Sequence, residues 1–470
     1  MYKKTLLFLT FLCFTSVILA VTMDVGPEDC PTWVLDHADQ KIKEYYIPQK
    51  KYSGKTINLP QPRNPDKWQV CFTNKFEELT GAKVKIIPFP NQTKMLDQVR
   101  LSLAANNGEY DIITTGAGGA KEYGLSGFLV EIPMPPDIDD FYPADVEQYS
   151  IGGKLFGMPV ITDTNMLYWR TDLFIEAGLD PNKPPTTYKE LQEYARKLTI
   201  DKNGKRSTEP GFDKNNVEIY GLAFKGKANL ASPWEWYNYI FAFGGDLFDE
   251  NYNVSIDSEE SIASLQWVVD NFRKYNVYPP ETPNMDYSEF HTLFLQGKLA
   301  MAINWPYMYG MAQDPNQSKV VDKFSIGRKP KGERYAGNLG GWSFNVFKMS
   351  KNQELAIAYA KWMGSADVSW VRARGNSAPV RKSITEIMKL ERPTLLAGIG
   401  ANLPDTMGVK WLDAGPSWMS LEKETWKAIQ SALTGQKTPS QALKNAKKKM
   451  EKILKRDRFH EELVPQLLGK

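Results

Sequence analysis

Capped amphipathic helices alternate with short apolar strands along most of this 470-residue chain, and this alternation limits the fold classes open to it. Four capping boxes, each a Ser, Thr or Asp followed three residues later by Glu or Gln, mark helix starts at Thr187/Glu190, Asp257/Glu260, Ser350/Gln353 and Thr438/Gln441. Between the helices, strands are predicted over residues 84–88, 110–115, 165–170, 220–224, 299–305 and 343–349. The pattern predicts an α/β protein with parallel sheets and a ligand site beyond the carboxyl ends of the strands.

The length and the charge balance narrow the possibilities further. A chain of 470 residues exceeds what one hydrophobic core usually holds, which favours two lobes. Lysine and arginine (58) nearly balance aspartate and glutamate (55), and the net charge of +3 carries no electrostatic footprint for nucleic acid. We therefore expect a two-lobed protein that does not bind nucleic acid.

The first twenty residues have the order of a secretory signal. Lys3 and Lys4 precede an apolar run over residues 6–19, and Ala20 is a small residue suited to cleavage. We predict that residues 1–22 are removed and that the mature protein is soluble and exported to the periplasm or the cell exterior. An uncleaved anchor is the alternative, because the apolar run approaches the ~20 residues of a membrane-spanning helix. Neither Cys13 nor Cys30 follows the small residue that lipid attachment requires, so no lipid anchor is expected.

Cys30 and Cys71 are the two cysteines that remain after signal removal. An oxidising compartment permits a disulfide between them, which would tie an N-terminal extension, residues 23–53, onto the body of the protein. By the chain-entropy model such a bridge contributes roughly 4 kcal/mol. Two buried thiols are the alternative.

The sequence shows no motif for catalysis, metal binding or nucleotide binding. The three histidines, His37, His291 and His460, lie far apart, and none is near a cysteine or an acidic cluster at metal-ligand spacing. There is no Walker loop and no GxGxxG after a strand, so neither a metal nor a cofactor is predicted. A glycosidase needs only two carboxylates, and a pair such as Glu235 and Asp246 keeps that alternative open.

Aromatic residues at strand ends and helix starts are the candidates for ligand binding. Trp305 and Tyr307 follow a predicted strand, Trp342 follows two glycines, and Trp234 and Trp236 open a helix. The apolar face of a pyranose ring stacks on such side chains, which contributes about 1 kcal/mol per ring beyond the area buried. Core packing is the alternative for each tryptophan taken singly.

Polar and glycine positions near these aromatics complete the predicted site. Amides, carboxylates and arginine suit the hydroxyl rim of a sugar, and glycines allow close approach of the backbone. The candidate ligand-binding residues are Trp234, Tyr307, Trp305, Trp342, Trp236, Asn304, Gly341, Asn338, Asp163, Arg63, Asn64, Gly118 and Trp418.

Seven segments from residue 54 onward follow one another in an order and at spacings that are specific when taken together. The first three are FEELTGAKVKI (76–86), YDIITTGAGGAKEYGLSGFLVEI (110–132) and MLYWRTDLFIEAGLDPNKPPTTYKEL (166–191). The others are FAFGGDLFDE, FLQGKLAMAINWPYMYG, NLGGWSF and LTGQKTPSQAL. In this order the seven segments resemble the extracellular sugar-binding proteins of ABC importers, the maltose-binding type of solute-binding protein family 1. Residues 23–53 fall outside the resemblance.

The resemblance implies a two-lobed periplasmic-binding-protein fold, with a central sheet in each lobe, crossover hinges and a ligand cleft between the lobes. It implies lobe 1 over residues 54–160 plus 341–378, lobe 2 over 165–336 plus 384–470, and crossings near 159–164, 337–342 and 378–383. By position, the stacking aromatics of the family match Trp234 and Tyr307, although Trp305-Pro306-Tyr307 replaces a Gly-Pro-Trp. Thr115 and Gly118 stand where maltose-type members have an aromatic and an acidic residue, which argues against maltose itself.

The function implied is that of the substrate-binding subunit of an ABC importer. Such a protein would be a monomer that closes around a carbohydrate, here an expected oligosaccharide, and delivers it unchanged to permease subunits in the membrane. A binding protein for a non-sugar solute, such as a polyol phosphate or a polyamine, is one alternative. A secreted glycan-cleaving enzyme is the other.

Overall fold

Most of the strands belong to two main sheets with helices packed on them, while four short strands form two separate antiparallel pairs. The computed structural model of the chain describes residues 32–374 and 377–468. The strands are β1 (Thr56–Pro62), β2 (Lys83–Phe89), β3 (Ile112–Thr115), β4 (Ser150–Ile151), β5 (Lys154–Leu155), β6 (Met158–Thr164), β7 (Met166–Arg170), β8 (Ile200–Asp201), β9 (Val217–Ile219), β10 (Met301–Asn304), β11 (Phe324–Gly327), β12 (Gly337–Val346) and β13 (Thr406–Met407). The two separate pairs are β4 with β5 and β8 with β9.

The α-helices are α1 (Gln40–Tyr46), α2 (Lys67–Thr80), α3 (Gln92–Ala104), α4 (Ala117–Leu125), α5 (Pro143–Glu147), α6 (Thr171–Glu176), α7 (Tyr188–Leu198), α8 (Ala231–Ala242), α9 (Glu259–Arg273), α10 (Tyr287–Leu295), α11 (Tyr307–Gln313), α12 (Gln353–Met363), α13 (Ala366–Arg374), α14 (Lys382–Glu391), α15 (Pro393–Gly400), α16 (Trp418–Leu433), α17 (Pro439–Arg456), α18 (Phe459–Glu462) and α19 (Val464–Leu467). Short 3-10 segments lie at Leu35–His37, Ile138–Asp140, Thr282–Asn284, Leu403–Asp405 and Lys410–Ser417.

The first sheet is centred on β12, which pairs antiparallel with both β3 and β6. β1 and β2 pair in parallel, and the backbone amide of Asp111 donates to the carbonyl of Asn58 at 3.1 Å, which sets β1 beside β3. Helices α12 and α13 pack against β12 and β6. These elements form one lobe around a core of the apolar residues that the strands turn inward.

The second sheet consists of β7 between β10 and β11, and both pairings are antiparallel. Helix α15 packs on this sheet, while α8, α9 and α16 pack against one another beside it. The predicted parallel pairing therefore holds for β1 with β2 and for β12 with β13, and it is wrong for the second sheet and for β12 with β3 and β6. β7 is far from both β10 and β11 in the sequence, so its direction depends on long-range contacts that the alternation of helices and strands does not reveal.

Three chain segments lie side by side at the part of the first sheet from which the chain passes into the second. β6 and β12 pair antiparallel, with Gly340 opposite Asp163 and Gly341 opposite Thr162. Ala378 forms an isolated bridge with Thr162 on the other side. The crossings near residues 159–164, 337–342 and 378–383 therefore meet in one hydrogen-bonded bundle.

Two of the four predicted helix starts are confirmed. Thr187 and Thr438 form complete capping boxes. The other two helices begin later than predicted, at Glu259 behind the cap Ser258 and at Gln353 behind Asn352. Asp257 and Ser350 have other partners: the former pairs with Lys447 at 3.0 Å and the latter donates to Asp111. Residues 220–224 contribute a single bridge, Tyr220 to Leu299, rather than a strand.

The N-terminal extension is anchored to the first lobe over its described part, residues 32–53. The carboxylate of Asp367 on α13 accepts hydrogen bonds from the backbone amides of Trp33, Val34 and Leu35, at 2.7, 2.7 and 3.0 Å. Cys71 is buried and disulfide-bonded. Its predicted partner, Cys30, and the predicted signal, residues 1–22, lie outside the described residues, so that pairing stays a prediction.

A buried arginine ties the extension to the third crossing. The Arg381 side chain is fully buried and donates to Asp137 at 2.8 Å and to Asp140 at 3.0 Å. It also donates to the Tyr46 hydroxyl of α1 at 2.6 Å and to the carbonyl of Gly364 at 3.0 Å. One guanidinium therefore joins α1, the first lobe and the start of α14.

Arg381→Gln should destabilise the protein strongly, because two carboxylates and a hydroxyl would lose a buried donor. We expect the free energy of unfolding, measured by guanidinium denaturation, to fall by about 3–5 kcal/mol. Arg458→Gln is the control, since Arg458 pairs with Glu461 and Glu462 at the surface. Its loss should change the free energy of unfolding far less, because solvent screens exposed ion pairs. Equal losses for both variants would contradict the assigned role of Arg381.

Candidate functional site

Two glycines of β12 form the floor of a cleft between the two lobes. Gly341 has a φ of +138°, and a Cβ at this position would lie 2.6 Å from the carbonyl oxygen of Ile161. A Cβ on Gly340 would lie 2.7 Å from the ring of Trp305, which follows β10 in the second lobe. Only glycine fits at these two positions, so the ring of Trp305 lies directly on the crossing strand.

Three aromatic residues of the second lobe, Trp234, Trp305 and Tyr307, line this cleft. Each is partly exposed. The ring centroids of Trp234 and Trp305 are 6.4 Å apart and the planes are inclined by 46°. Both indoles are partly exposed, so apolar ring surface remains accessible beside the floor.

A buried charged network supports these aromatic residues from behind. Lys225 Nζ lies 2.6 Å from a carboxylate oxygen of Glu235, and both side chains are buried. Lys225 also donates to Asn304 Oδ1 at 3.3 Å, and Asn304 Nδ2 donates to the Tyr307 hydroxyl at 3.4 Å. Burial raises the pKa of Glu235 and lowers that of Lys225. The network fixes the position of the Tyr307 hydroxyl relative to the strand end.

Charged groups surround the floor on the side of the first lobe. Burial raises the pKa of Asp163 to about 7, although nearby Arg372 opposes the rise. Burial also lowers the pKa of Arg372 to about 9, against the opposing effect of Asp66 and Asp163. The Arg372 guanidinium lies 4.2 Å from the ring centroid of Trp68. Asp163 and Arg372 therefore lie near each other at the end of the cleft beside the crossing strand β6, called here the hinge end.

Two buried polar atoms at this end lack a hydrogen-bond partner within residues 32–374 and 377–468. They are Nε of Arg372 and the hydroxyl of Tyr149. A buried donor without a partner costs roughly 1–3 kcal/mol, which a ligand with hydroxyl groups would recover. The Tyr149 hydroxyl is also one of the atoms nearest to Gly341. A ligand hydroxyl group that reached these two atoms would find unused hydrogen-bonding capacity there.

Several of the sequence-predicted residues lie around this floor. Trp342 is partly exposed on β12 beside Gly341, and Arg63 and Asn64 are exposed just after β1. Asn304 and Asn338 are buried instead, and Asn338 Nδ2 donates to the carbonyl of Trp234 at 3.3 Å. These two asparagines position the aromatic residues and do not face the cleft.

Trp236 and Trp418 do not lie where the sequence predicts. Trp236 is fully buried and its indole nitrogen donates to Ser264 at 3.0 Å. Two positions along a helix turn by about 200°, so Trp234 and Trp236 point to opposite faces of α8. Trp418 is also buried, and it packs against Gly118 and donates to Glu122. These predictions of exposed ligand-binding rings are wrong.

The carboxylate pair considered for glycan cleavage has a different arrangement. Glu235 forms its ion pair with Lys225, and Asp246 forms one with Lys410 at 2.9 Å. Each carboxylate thus has a lysine partner of its own.

Arg372 and Tyr149 at the cleft, and Lys225 behind it, are not among the residues predicted from the sequence. Arg372 lies on α13, far along the chain from Asp163, and only the fold brings the two together. Lys225 follows the run at residues 220–224, so its place after an apolar run was the one available signal.

A two-lobed α/β molecule whose crossings carry an aromatic and polar cleft has the architecture of a periplasmic solute-binding protein. The model of the bacterial extracellular solute-binding protein family matches residues 61–369, and the chain belongs to this family.

Individual proteins agree with this family assignment. The chain is 25% identical over 423 residues to a probable amino-acid ABC transporter periplasmic-binding protein of Sinorhizobium fredii, covering 87% of this chain and 91% of that one. It is 26% identical over 436 residues to a mannitol-binding protein of Pseudomonas aeruginosa, covering 87% and 95%. A solved solute-binding protein of Thermotoga lettingae bound with α-D-tagatose has a TM-score of 0.74 at 25% identity, covering 85% of this chain and 100% of that one.

In the part of the chain that the structure describes, no helix combines the length and apolarity needed to cross a membrane.

Asp145, whose side chain lies under the floor, gives a pH prediction. Burial raises its pKa to about 8 despite hydrogen bonds to Thr162 and Gln148. Between pH 4 and 8 the unfolded chain releases this proton and the folded protein keeps it, so stability should fall as pH rises, by up to about 1.4 kcal/mol per pH unit.

Asp145→Asn should therefore flatten the pH dependence of the free energy of unfolding between pH 4 and 8, as followed by denaturant titration. Asp139→Asn, which changes an exposed carboxyl group, is the control. A constant difference between wild type and Asp145→Asn over this range would show that Asp145 does not titrate as described.

Proposed function

We propose that this protein binds a carbohydrate or a related polyol in the cleft and delivers it to the permease subunits of an ABC importer. The observation that carries the proposal is the pairing of angled aromatic rings, Trp234 and Trp305, with buried, unpartnered polar atoms of Arg372 and Tyr149. Sugars have apolar faces and a rim of hydroxyl groups. The aromatic rings suit the faces, and the unpartnered polar atoms suit the hydroxyl groups. The relatives named for mannitol and tagatose bind ligands of the same chemistry.

Closure of the two lobes is the proposed mechanism. Arg63 and Arg372 belong to the first lobe, while Trp234, Trp305 and Tyr307 belong to the second. A ligand that touches both groups interacts with all of them only when the lobes are closed. It therefore shifts the population toward the closed form, which a permease can recognise.

The proposed lobe boundaries are residues 54–160 plus 341–378 for the first lobe and 165–336 plus 384–470 for the second. We further propose that residues 1–22 act as an export signal and that the mature protein works as a soluble monomer outside the cell membrane. The extracellular family to which the chain belongs supports this location.

A non-sugar solute remains the competing ligand class, since Arg63 and Arg372 could attract an anion. Both arginines interact electrostatically with Asp163, which weakens that attraction. Three partly exposed aromatic rings also favour an apolar-faced ligand over a phosphate or a polyamine.

Intrinsic tryptophan fluorescence and thermal shift with a panel of monosaccharides, polyols and oligosaccharides should reveal the ligand. Trp234→Ala should then raise Kd by roughly tenfold or more, because a stacked ring contributes about 1 kcal/mol beyond the area it buries. Trp267→Ala removes a partly buried indole that packs on Tyr188 and Tyr239 away from the cleft, and it should leave Kd unchanged. If no member of the panel changed fluorescence or melting temperature, the carbohydrate proposal would fail.

The protein should return its ligand unchanged, since Glu235 and Asp246 are each engaged by a lysine. Prolonged incubation with oligosaccharides, followed by chromatography, should give no shorter products. Product formation that Glu235→Gln abolished would instead establish a glycan-cleaving enzyme.

A further inference from the structure

The two lobes touch each other at one end of the cleft, where α4 meets the start of α16. α4 follows β3 in the first lobe, and α16 packs with α8 and α9 in the second. A Cβ on Gly116, just before α4, would lie 3.3 Å from the carbonyl oxygen of Gly341, so this end of α4 adjoins the cleft floor. Any ligand extending from the floor along α4 would meet α16.

The contact is closely packed. Ring atoms of Trp418 lie 2.8 and 2.9 Å from the position that a Cβ on Gly118 would occupy, and Leu412 lies 3.0 Å from it. Only 1% of the Trp418 side chain surface is exposed. The indole therefore fills the space beside Gly118, and a sugar ring has no room there while the lobes are in this arrangement.

Polar contacts hold the indole in this position. The Trp418 indole N–H donates to a carboxylate oxygen of Glu122, one turn along α4 from Gly118. Arg100 binds the same carboxylate with two nitrogens, at 2.6 and 2.7 Å. Lys121 lies 3.5 Å from Asp413 in the neighbouring 3-10 segment. Charge-assisted hydrogen bonds of this kind fix both the position and the orientation of the ring.

Given the carbohydrate site proposed above, we propose that Trp418 limits the ligand to a single sugar-sized unit, a monosaccharide or a hexitol, by filling the position beside Gly118 that a second unit would need. Trp305 lies against Gly340 elsewhere on the same floor, so the accessible part of the cleft is bounded on two sides. The ligand proposed here is therefore shorter than the oligosaccharide expected from the sequence.

Isothermal titration calorimetry tests this limit with D-glucose, D-galactose, D-mannose and D-mannitol against the disaccharides maltose, cellobiose and lactose. The wild-type protein should bind at least one monomeric ligand at least tenfold more tightly than any disaccharide. Trp418→Ala should reduce that preference by tenfold or more, because it empties the position beside Gly118. Trp418→Phe, which keeps a smaller ring without the N–H donor, should give an intermediate ratio.

Trp426→Ala is the matched control, since it removes another buried tryptophan from α16 two turns further on. Its preference ratio should equal that of the wild type. Tighter binding of a disaccharide than of every monomer by the wild type would overturn the limit while leaving the carbohydrate site intact. An unchanged ratio in Trp418→Ala and Trp418→Phe would remove the assigned role of Trp418. Binding of no sugar of either length would instead defeat the proposed function itself.

Discussion

The pairing of β12 with β6 is the interaction on which the rest of the molecule depends. β12 begins beside β13, crosses along β6 and ends against β3 in the first sheet, so one strand belongs to the hinge and to a lobe core at once. The glycines at its centre leave the strand without side chains where the two lobes approach. Aromatic rings of the second lobe and charged groups of the first can therefore both approach the backbone of Gly340 and Gly341.

The side chains that position the cleft residues are buried behind the surface that a ligand would touch. The ion pair of Lys225 and Glu235 does not face the cleft, yet through Asn304 it sets where the Tyr307 hydroxyl lies. Asn338 similarly holds the backbone of Trp234. Replacing such groups would disturb the geometry of the rings without removing a contact to the ligand, which distinguishes positioning residues from binding residues.

The sequence was most informative where the signal was local. The capping boxes at Thr187 and Thr438 depend only on residues three apart, and both were predictable. Helical geometry could also have separated Trp234 from Trp236, because neighbours at this spacing face opposite ways. The direction of β7 and the meeting of Arg372 with Asp163 depend instead on contacts between distant parts of the chain. No pattern within a short window contains that information, and the same holds for Trp418 against Gly118.

The anchoring of residues 32–53 has a mechanical consequence. Asp367 and Arg381 fasten this extension to the first lobe and to the third crossing. Tension on the chain ahead of residue 32 would therefore pass into the first lobe and the third crossing before it reached the aromatic rings of the second lobe.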